Sequence, residues 1–241
     1  MDKKKVKIME SVISPKIGKN KILVKVLYSG ICRSQIMEID FKRGKDKFLP
    51  HMLGHEAVGI VISHGEKIKK VRKNQKVVLS WIKGNGISSG GGLINLNGRE
   101  VNYGPVSTLS NYAIVSEDRC FPVQNNFPID VGSFFGCSVL TGAGMVYNKF
   151  RIKKKDRVLV IGAGGIGLST LLALKSLNIQ NVCVIENNFS KYKLIKEIGY
   201  KDIFKSTDKK LSKYISNLTG KNLFDYCFES AGQISEYRNG E

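Results

Sequence analysis

Long apolar runs are missing from this chain. No stretch of about 18 apolar residues occurs among its 241, so no transmembrane helix is expected. The N-terminus MDKKKVKIME is basic but has no apolar segment behind it, and so does not read as a secretory signal. The cytoplasm is the location these two absences suggest. Arginine is also scarce: 8 Arg stand against 31 Lys in a chain of formal net charge +19. Nucleic-acid readers lean on the planar, bidentate guanidinium, and no basic motif interleaved with aromatics occurs here. The charge therefore reads as a solvated lysine surface that attracts small anions, with no nucleic acid and no membrane as partner. The five cysteines, Cys32, Cys120, Cys137, Cys183 and Cys227, are odd in number and irregularly spaced, which excludes a disulfide framework. No internal repeat is present.

With 42 % apolar residues, the chain is that of a globular protein with a real core, long enough for one large domain or two. Its texture changes near residue 150. Before that point lie short β-like runs, KILVKVLYSG (21–30), AVGIVIS (57–63), KVVLSWI (76–82) and SNYAIVSED (110–118), with Gly and Asn clusters between them. Many short strands joined by such turns predict a β-barrel or sandwich. The stretch 83–109 is Gly-rich and has no clear period, so it reads as a long loop. After FRIKKKDR (150–157) come RVLVIG (157–162), a helical run, NVCVIE (181–186), a second helix SKYKLIKEIGY (190–200) with Gly199 as its cap, KDIF (201–204) and FDYCFES (224–230). Strand and helix alternate, which predicts βαβ units and a parallel sheet.

GAGGIG (162–167) follows the first of these strands and opens the helix. In that setting the pattern predicts a dinucleotide turn. Gly162 permits the tight turn, Gly164 lets backbone approach a pyrophosphate, and Gly167 lets helix pack on strand. The helix N-terminus supplies free N–H groups and a positive dipole end. Glu186 closes the next strand, 24 residues after Gly162. That is near the spacing of a carboxylate that accepts from the adenosine ribose, and its charge disfavours a 2′-phosphate, so NAD is expected over NADP.

PHMLGHEAVG (50–59) holds His51 and His55, four apart as in helical zinc motifs. Pro50 and Gly54 break any helix there, and AVGIVIS continues as a strand, so a turn before a strand is expected. Together with GICRSQ (30–35), FGCSVLTGAG (135–144) and GAGGIG, this stretch resembles the zinc-dependent medium-chain alcohol dehydrogenase family, in order along nearly the whole chain. The resemblance implies a GroES-like β-barrel catalytic domain over residues 1–150. An incomplete Rossmann parallel sheet with helices on both faces follows over 151–241 and ends after its fourth strand. It implies one catalytic zinc on Cys32, His55 and Cys137, with a fourth position open to substrate, and NAD as the second cofactor. Ser34 would take the alcohol proton, and Glu56 would stand beside the metal. Arg33 would contact the pyrophosphate, Thr141 and Ile166 the nicotinamide, and Gly165 the phosphates with its neighbouring glycines. Lys191 would touch the adenosine ribose, and Trp81 would wall a pocket for an alcohol or carbonyl substrate. Cys120, Cys183 and Cys227 read as core, His64 as solvated, and His51 as structural.

Three departures from the family pattern stand out. The stretch 83–105 has no cysteine, so the family's second, structural zinc is not expected. Met37 stands where a His often continues the proton relay, and Gln35 where an Asp commonly supports the ligand His. A neutral amide orients an imidazole but raises its basicity less. The sequence also has no counterpart to the last two strands of the cofactor domain, which in full-length members commonly make the contact of a homodimer or tetramer. The alternative to an active dehydrogenase is therefore a remnant that binds zinc and part of a dinucleotide without turnover.

Overall fold

Two compact units divide the chain between Cys137 and Ser138 in the computed structural model. The structure describes residues 6–10, 17–40, 42, 44, 46–219 and 223–232. The polar tail 233–241, where no continuation of the sheet was expected, lies outside the described residues.

The first unit contains β1 (Lys21–Ser29), α1 (Arg33–Ile39), β2 (Ala57–His64), β3 (Lys76–Leu79), β4 (Gly92–Leu96), β5 (Arg99–Tyr103), β6 (Tyr112–Ser116), β7 (Cys120–Pro122) and α2 (Ile129–Gly132). Five strands form an antiparallel sheet in the order β6-β1-β2-β3-β7, curled into a GroES-like half-barrel. Irregular register between Leu23 and Val24, and again between Val26 and Tyr28, bends β1 against β2. The inward residues Ile22, Val24, Val61, Val77, Leu79 and Val115 are fully buried. Each contributes roughly 1.5–3 kcal/mol of burial.

The stretch 83–109 is more ordered than its composition suggests. It contains the hairpin β4–β5, paired from Gly92–Tyr103 to Leu96–Arg99. Asn97 and Gly98 have φ values of 52° and 81° and make the turn. An Asn-Gly pair between alternating segments is the strongest short-range hairpin signal, and it was readable in LINLNGREVNY.

The second unit contains α3 (Ser138–Asn148), β8 (Val158–Ile161), α4 (Gly165–Ser176), β9 (Val182–Ile185), α5 (Tyr192–Ile198), β10 (Ile203–Phe204), α6 (Lys210–Thr219) and β11 (Tyr226–Glu229). Its parallel sheet has the order β10-β9-β8-β11, the 3-2-1-4 order of a doubly wound sheet. Alternate strand residues feed two cores. Val158, Val160, Val182 and Val184 pack with Leu171, Leu174 and Ile195, while Leu159, Ile161, Cys183 and Ile185 pack with Leu211. Helices thus cover both faces. The compact units divide before α3, although the texture of the sequence changes only near residue 150. A Cβ added to Gly142 of α3 would lie 2.2 Å from the Ile166 carbonyl of α4, so these two helices pack with their backbones in near contact.

Gly199 caps α5 with φ 116°, as expected. Cys120 and Cys183 are buried as expected, whereas Cys227 is exposed, because β11 is the outermost described strand on its side of the sheet. No single helix among the described residues is long and apolar enough to cross a membrane.

Candidate metal centre and dinucleotide turn

Three segments far apart in sequence bring their donors together in the first unit. Ligand atoms of Cys32, His55 and Cys137 all lie within 4.8 Å of one another. Cys32 is the N-cap of α1. His55 follows Gly54, whose φ of 97° turns the chain into β2; a Cβ there would strike Leu109 N and Thr108 Oγ1 at 2.5 Å. Pro50 to Glu56 form no helix, so the spacing of His51 and His55 is that of a turn, as expected. Cys137 ends a single 3₁₀ turn, Ser133–Gly136. That turn is fixed at the end of β3, where the buried Ser80 hydroxyl donates to the Gly136 carbonyl at 2.6 Å.

Residue 56 ties these segments together. Its carbonyl accepts from Gly30 N at 3.2 Å, Ser29 Oγ at 3.0 Å and Thr108 Oγ1 at 3.2 Å. The residue is 3 % exposed, and its carboxyl Oε2 is buried without a hydrogen-bond partner. Burial pushes this carboxyl up to about 7, against the pull of His55 and with the push of Cys32. A Cβ on Gly30 would fall 2.6 Å from Glu56 Oε1, which explains the glycine two residues before Cys32.

The donor set fits a thiophilic cation. His55 Nε2 is buried with no well-aligned hydrogen-bond partner. The Cys32 thiol is held far below its ordinary value, first by the Cys137 thiol, then by the His55 imidazole against burial, and then by Ser34. The Cys137 thiol is pushed up as the partner that keeps the proton, and by burial. Two sulfurs and an imidazole crowded in this way satisfy one another poorly with protons. A zinc ion would satisfy all three. Two further residues named from the sequence also meet the set: Ser34 bonds Cys32, and the Trp81 indole bonds Cys137 while remaining 48 % exposed.

Gln35, buried at 3 % exposure, is the support behind His55. Its Oε1 accepts from Cys32 N at 2.7 Å, and its Nε2 lies 3.1 Å from His55 Nδ1. One amide has a single oxygen. With that oxygen on Cys32 N–H, the amide can only donate to Nδ1, which places the imidazole proton on Nε2, where a metal would bind. A carboxylate would accept from both N–H groups and leave Nε2 free. Gln35→Glu should therefore tighten zinc by about 10–100-fold. Competition titration against a chromophoric chelator checks this, and an unchanged affinity would remove Gln35 from control of the tautomer.

In the second unit, the glycine turn has the geometry expected of it. Gly162 has φ 85°, and a Cβ there would lie 2.9 Å from Ala231 N. A Cβ on Gly167 would lie 1.9 Å from the Gly162 carbonyl. Around Gly164, the N-cap of α4, nothing lies within 4 Å of an added Cβ. That leaves a cradle in which backbone can meet a phosphate. Glu186 Oε2 accepts from Ala163 N at 2.8 Å and from Lys191 Nζ at 3.1 Å, and Oε1 accepts from Asn188 N at 2.8 Å. Burial raises its pKa, but the Asn188 and Ala163 N–H groups and Lys191 outweigh it and hold the carboxyl below its ordinary value. The carboxylate thus fastens the turn. Gly165 and Ile166 open α4, and Thr141 lies on α3. Arg33 is exposed on α1, in the first unit.

A half-barrel bearing such a donor set, followed along the chain by a glycine-turned parallel sheet, is the architecture of the medium-chain oxidoreductases. Residues 18–125 match the family model of the alcohol dehydrogenase GroES-like domain. The chain is 26 % identical over 263 residues to S-(hydroxymethyl)glutathione dehydrogenase of Synechocystis sp., covering 98 % of this chain and 70 % of that one. Identity to alcohol dehydrogenase 6 of Rattus norvegicus is also 26 %, over 251 residues, 93 % of this chain and 66 % of the relative. The crystal structure of benzyl alcohol dehydrogenase from Acinetobacter calcoaceticus superposes with a TM-score of 0.80 at 25 % identity, covering 95 % of this chain and 68 % of that one. Residues 18–125 thus belong to the alcohol dehydrogenase GroES-like domain family; the chain as a whole is similar to zinc-dependent medium-chain alcohol dehydrogenases and spans about two thirds of the length of the curated relatives it matches.

Proposed function

We propose that the chain acts as a zinc-dependent alcohol dehydrogenase, moving a hydride between an alcohol and NAD to give an aldehyde or ketone. The observation that carries this reading is the convergence of Cys32, His55 and Cys137, with His55 Nε2 buried and without an aligned hydrogen-bond partner. Zinc would supply a Lewis acid that lowers the pKa of the substrate hydroxyl, and NAD would accept the hydride. The rest falls to the protein. Cys32, His55 and Cys137 would hold the metal. Ser34, bonded to Cys32, takes the hydroxyl proton. The buried Glu56 stands beside the donors, Trp81 walls the substrate side, and Gln35 sets the His55 ring. Gly162, Gly164, Gly165 and Gly167 present the α4 N-terminus to the pyrophosphate. Thr141 and Ile166 pack on the nicotinamide. Glu186 and Lys191 receive the adenosine ribose, and the Glu186 charge disfavours a 2′-phosphate.

The second reading is a chain that binds zinc and dinucleotide without turnover. A panel of primary and secondary alcohols, assayed for NADH formation with zinc-loaded protein, separates the two. NADH from at least one alcohol, lost in His55→Ala, is expected. No NADH from any alcohol at full zinc loading would establish the second reading.

A further inference from the structure

His51, read from the sequence as structural, sits in a second cluster of donors. Its Nε2 lies 2.7 Å from Asp46 Oδ2 and 3.1 Å from Glu38 Oε1. The three side chains are largely withdrawn from solvent, at 14 %, 11 % and 31 % exposure. Their ligand atoms all lie within 4.8 Å of one another. They share the lining of a cavity of about 630 Å³ with Gln35, His55 and Tyr103. Helical spacing places Gln35 and Glu38 on one face of α1, so each histidine of the turn meets its own partner from that helix: His55 meets Gln35 and His51 meets Glu38.

The protonation of His51 is constrained by its surroundings. Nδ1 lies 2.9 Å from the Met52 carbonyl, which can only accept, so Nδ1 carries a hydrogen. The Nε2 lone pair of the neutral ring then points at two carboxylates. Only a second proton or a cation reconciles these three groups. An Nδ1–H held by a backbone carbonyl is also how a metal-ligating histidine is commonly oriented from behind.

We propose that Glu38, Asp46 and His51 form a second divalent-cation site, of nitrogen and oxygen donors only, suited to zinc or manganese. A ligand set with bonds of about 2.0–2.2 Å requires Asp46 Oδ2 and His51 Nε2 to part by about half an ångström, a side-chain adjustment. The site explains how a lobe without the family's cysteines is held. The segment carrying Asp46 and His51 is stitched to β5 through Asn102: Asn102 N donates to Pro50 O at 2.9 Å, Met52 N donates to Asn102 O at 2.8 Å, and Asn102 Nδ2 donates to Phe48 O at 2.8 Å. A cation joining this segment to Glu38 would fasten the β4–β5 hairpin to α1.

The experiment compares metal content and cobalt spectra of the full chain after equilibration with excess zinc or cobalt and gel filtration. Wild type should hold two metals per chain, and His51→Gln and Asp46→Asn should each hold one fewer. The cobalt form of Cys32→Ser with Cys137→Ser should hold one ion with no thiolate charge-transfer band, and adding His51→Gln should remove it. If the doubly substituted chain fails to fold, wild type against Asp46→Asn decides, because the Asn side chain keeps the size of the original. One metal in wild type, wholly thiolate-bound in its cobalt form and unchanged in stoichiometry by His51→Gln or Asp46→Asn, would overturn the proposal.

Discussion

Cobalt-substituted protein should lose its thiolate charge-transfer band when His55 is replaced by alanine, and the affinity of the Cys32–Cys137 site for zinc should fall at least a hundredfold. The imidazole is the donor that completes the set. His55 Nε2 is buried without an aligned partner, and the two sulfurs share one proton unequally, with Cys32 held down and Cys137 pushed up. Removal of the ring leaves two thiols in a half-buried site with a strongly raised partner, a poor trap for a cation that prefers four ligands. Cys32→Ser should act in the same direction through loss of a sulfur donor. Both substitutions leave the half-barrel core untouched, since Ile22, Val24, Val61 and Leu79 lie elsewhere, so thermal unfolding measured with chelator present should change little. A band of undiminished intensity in both variants would refute the ligand assignment.

Gly167→Ala and Gly164→Ala should separate folding from cofactor binding. A Cβ on Gly167 would lie 1.9 Å from the Gly162 carbonyl and 2.9 Å from Ser230 Oγ, and backbone cannot yield as a flexible side chain does. Helix α4 must shift from β8, at a cost of about 3 kcal/mol or more, the upper end of overpacking. For a chain of this size that corresponds to a drop in melting temperature of roughly 6–12 °C. Gly164 has nothing within 4 Å of an added Cβ, so the folded state tolerates alanine there. The methyl would occupy the cradle left for the pyrophosphate, however, and NADH affinity should fall about tenfold or more, the scale of one or two lost hydrogen bonds. Calorimetric unfolding and fluorescence titration with NADH check the pair. Equal affinity for NADH in Gly164→Ala and wild type would remove this turn from the cofactor site.

Elements whose signals are local are legible in the sequence. Each strand of the parallel sheet lies within two residues of the bounds of its sequence run, and Gly162 and Gly167 stand where a tight turn and close helix–strand packing leave no room for a side chain. The turn at Pro50–Gly54 was also legible, because proline and glycine forbid the helix that the histidine spacing suggests. Two features were not. The hairpin β4–β5 lay under a glycine-rich composition that masks alternation, although Asn97-Gly98 announces it. The cluster of Glu38, Asp46 and His51 is spread over α1, a loop and a turn, and no spacing rule joins them. His51 reads as an isolated polar residue until the fold places two carboxylates against it.

X-ray absorption at the zinc edge, on His51→Gln protein loaded with one equivalent of zinc, tests the central claim most directly. The account predicts two sulfur scatterers at about 2.3 Å with nitrogen or oxygen at about 2.0–2.1 Å. A first shell of nitrogen and oxygen alone would contradict it.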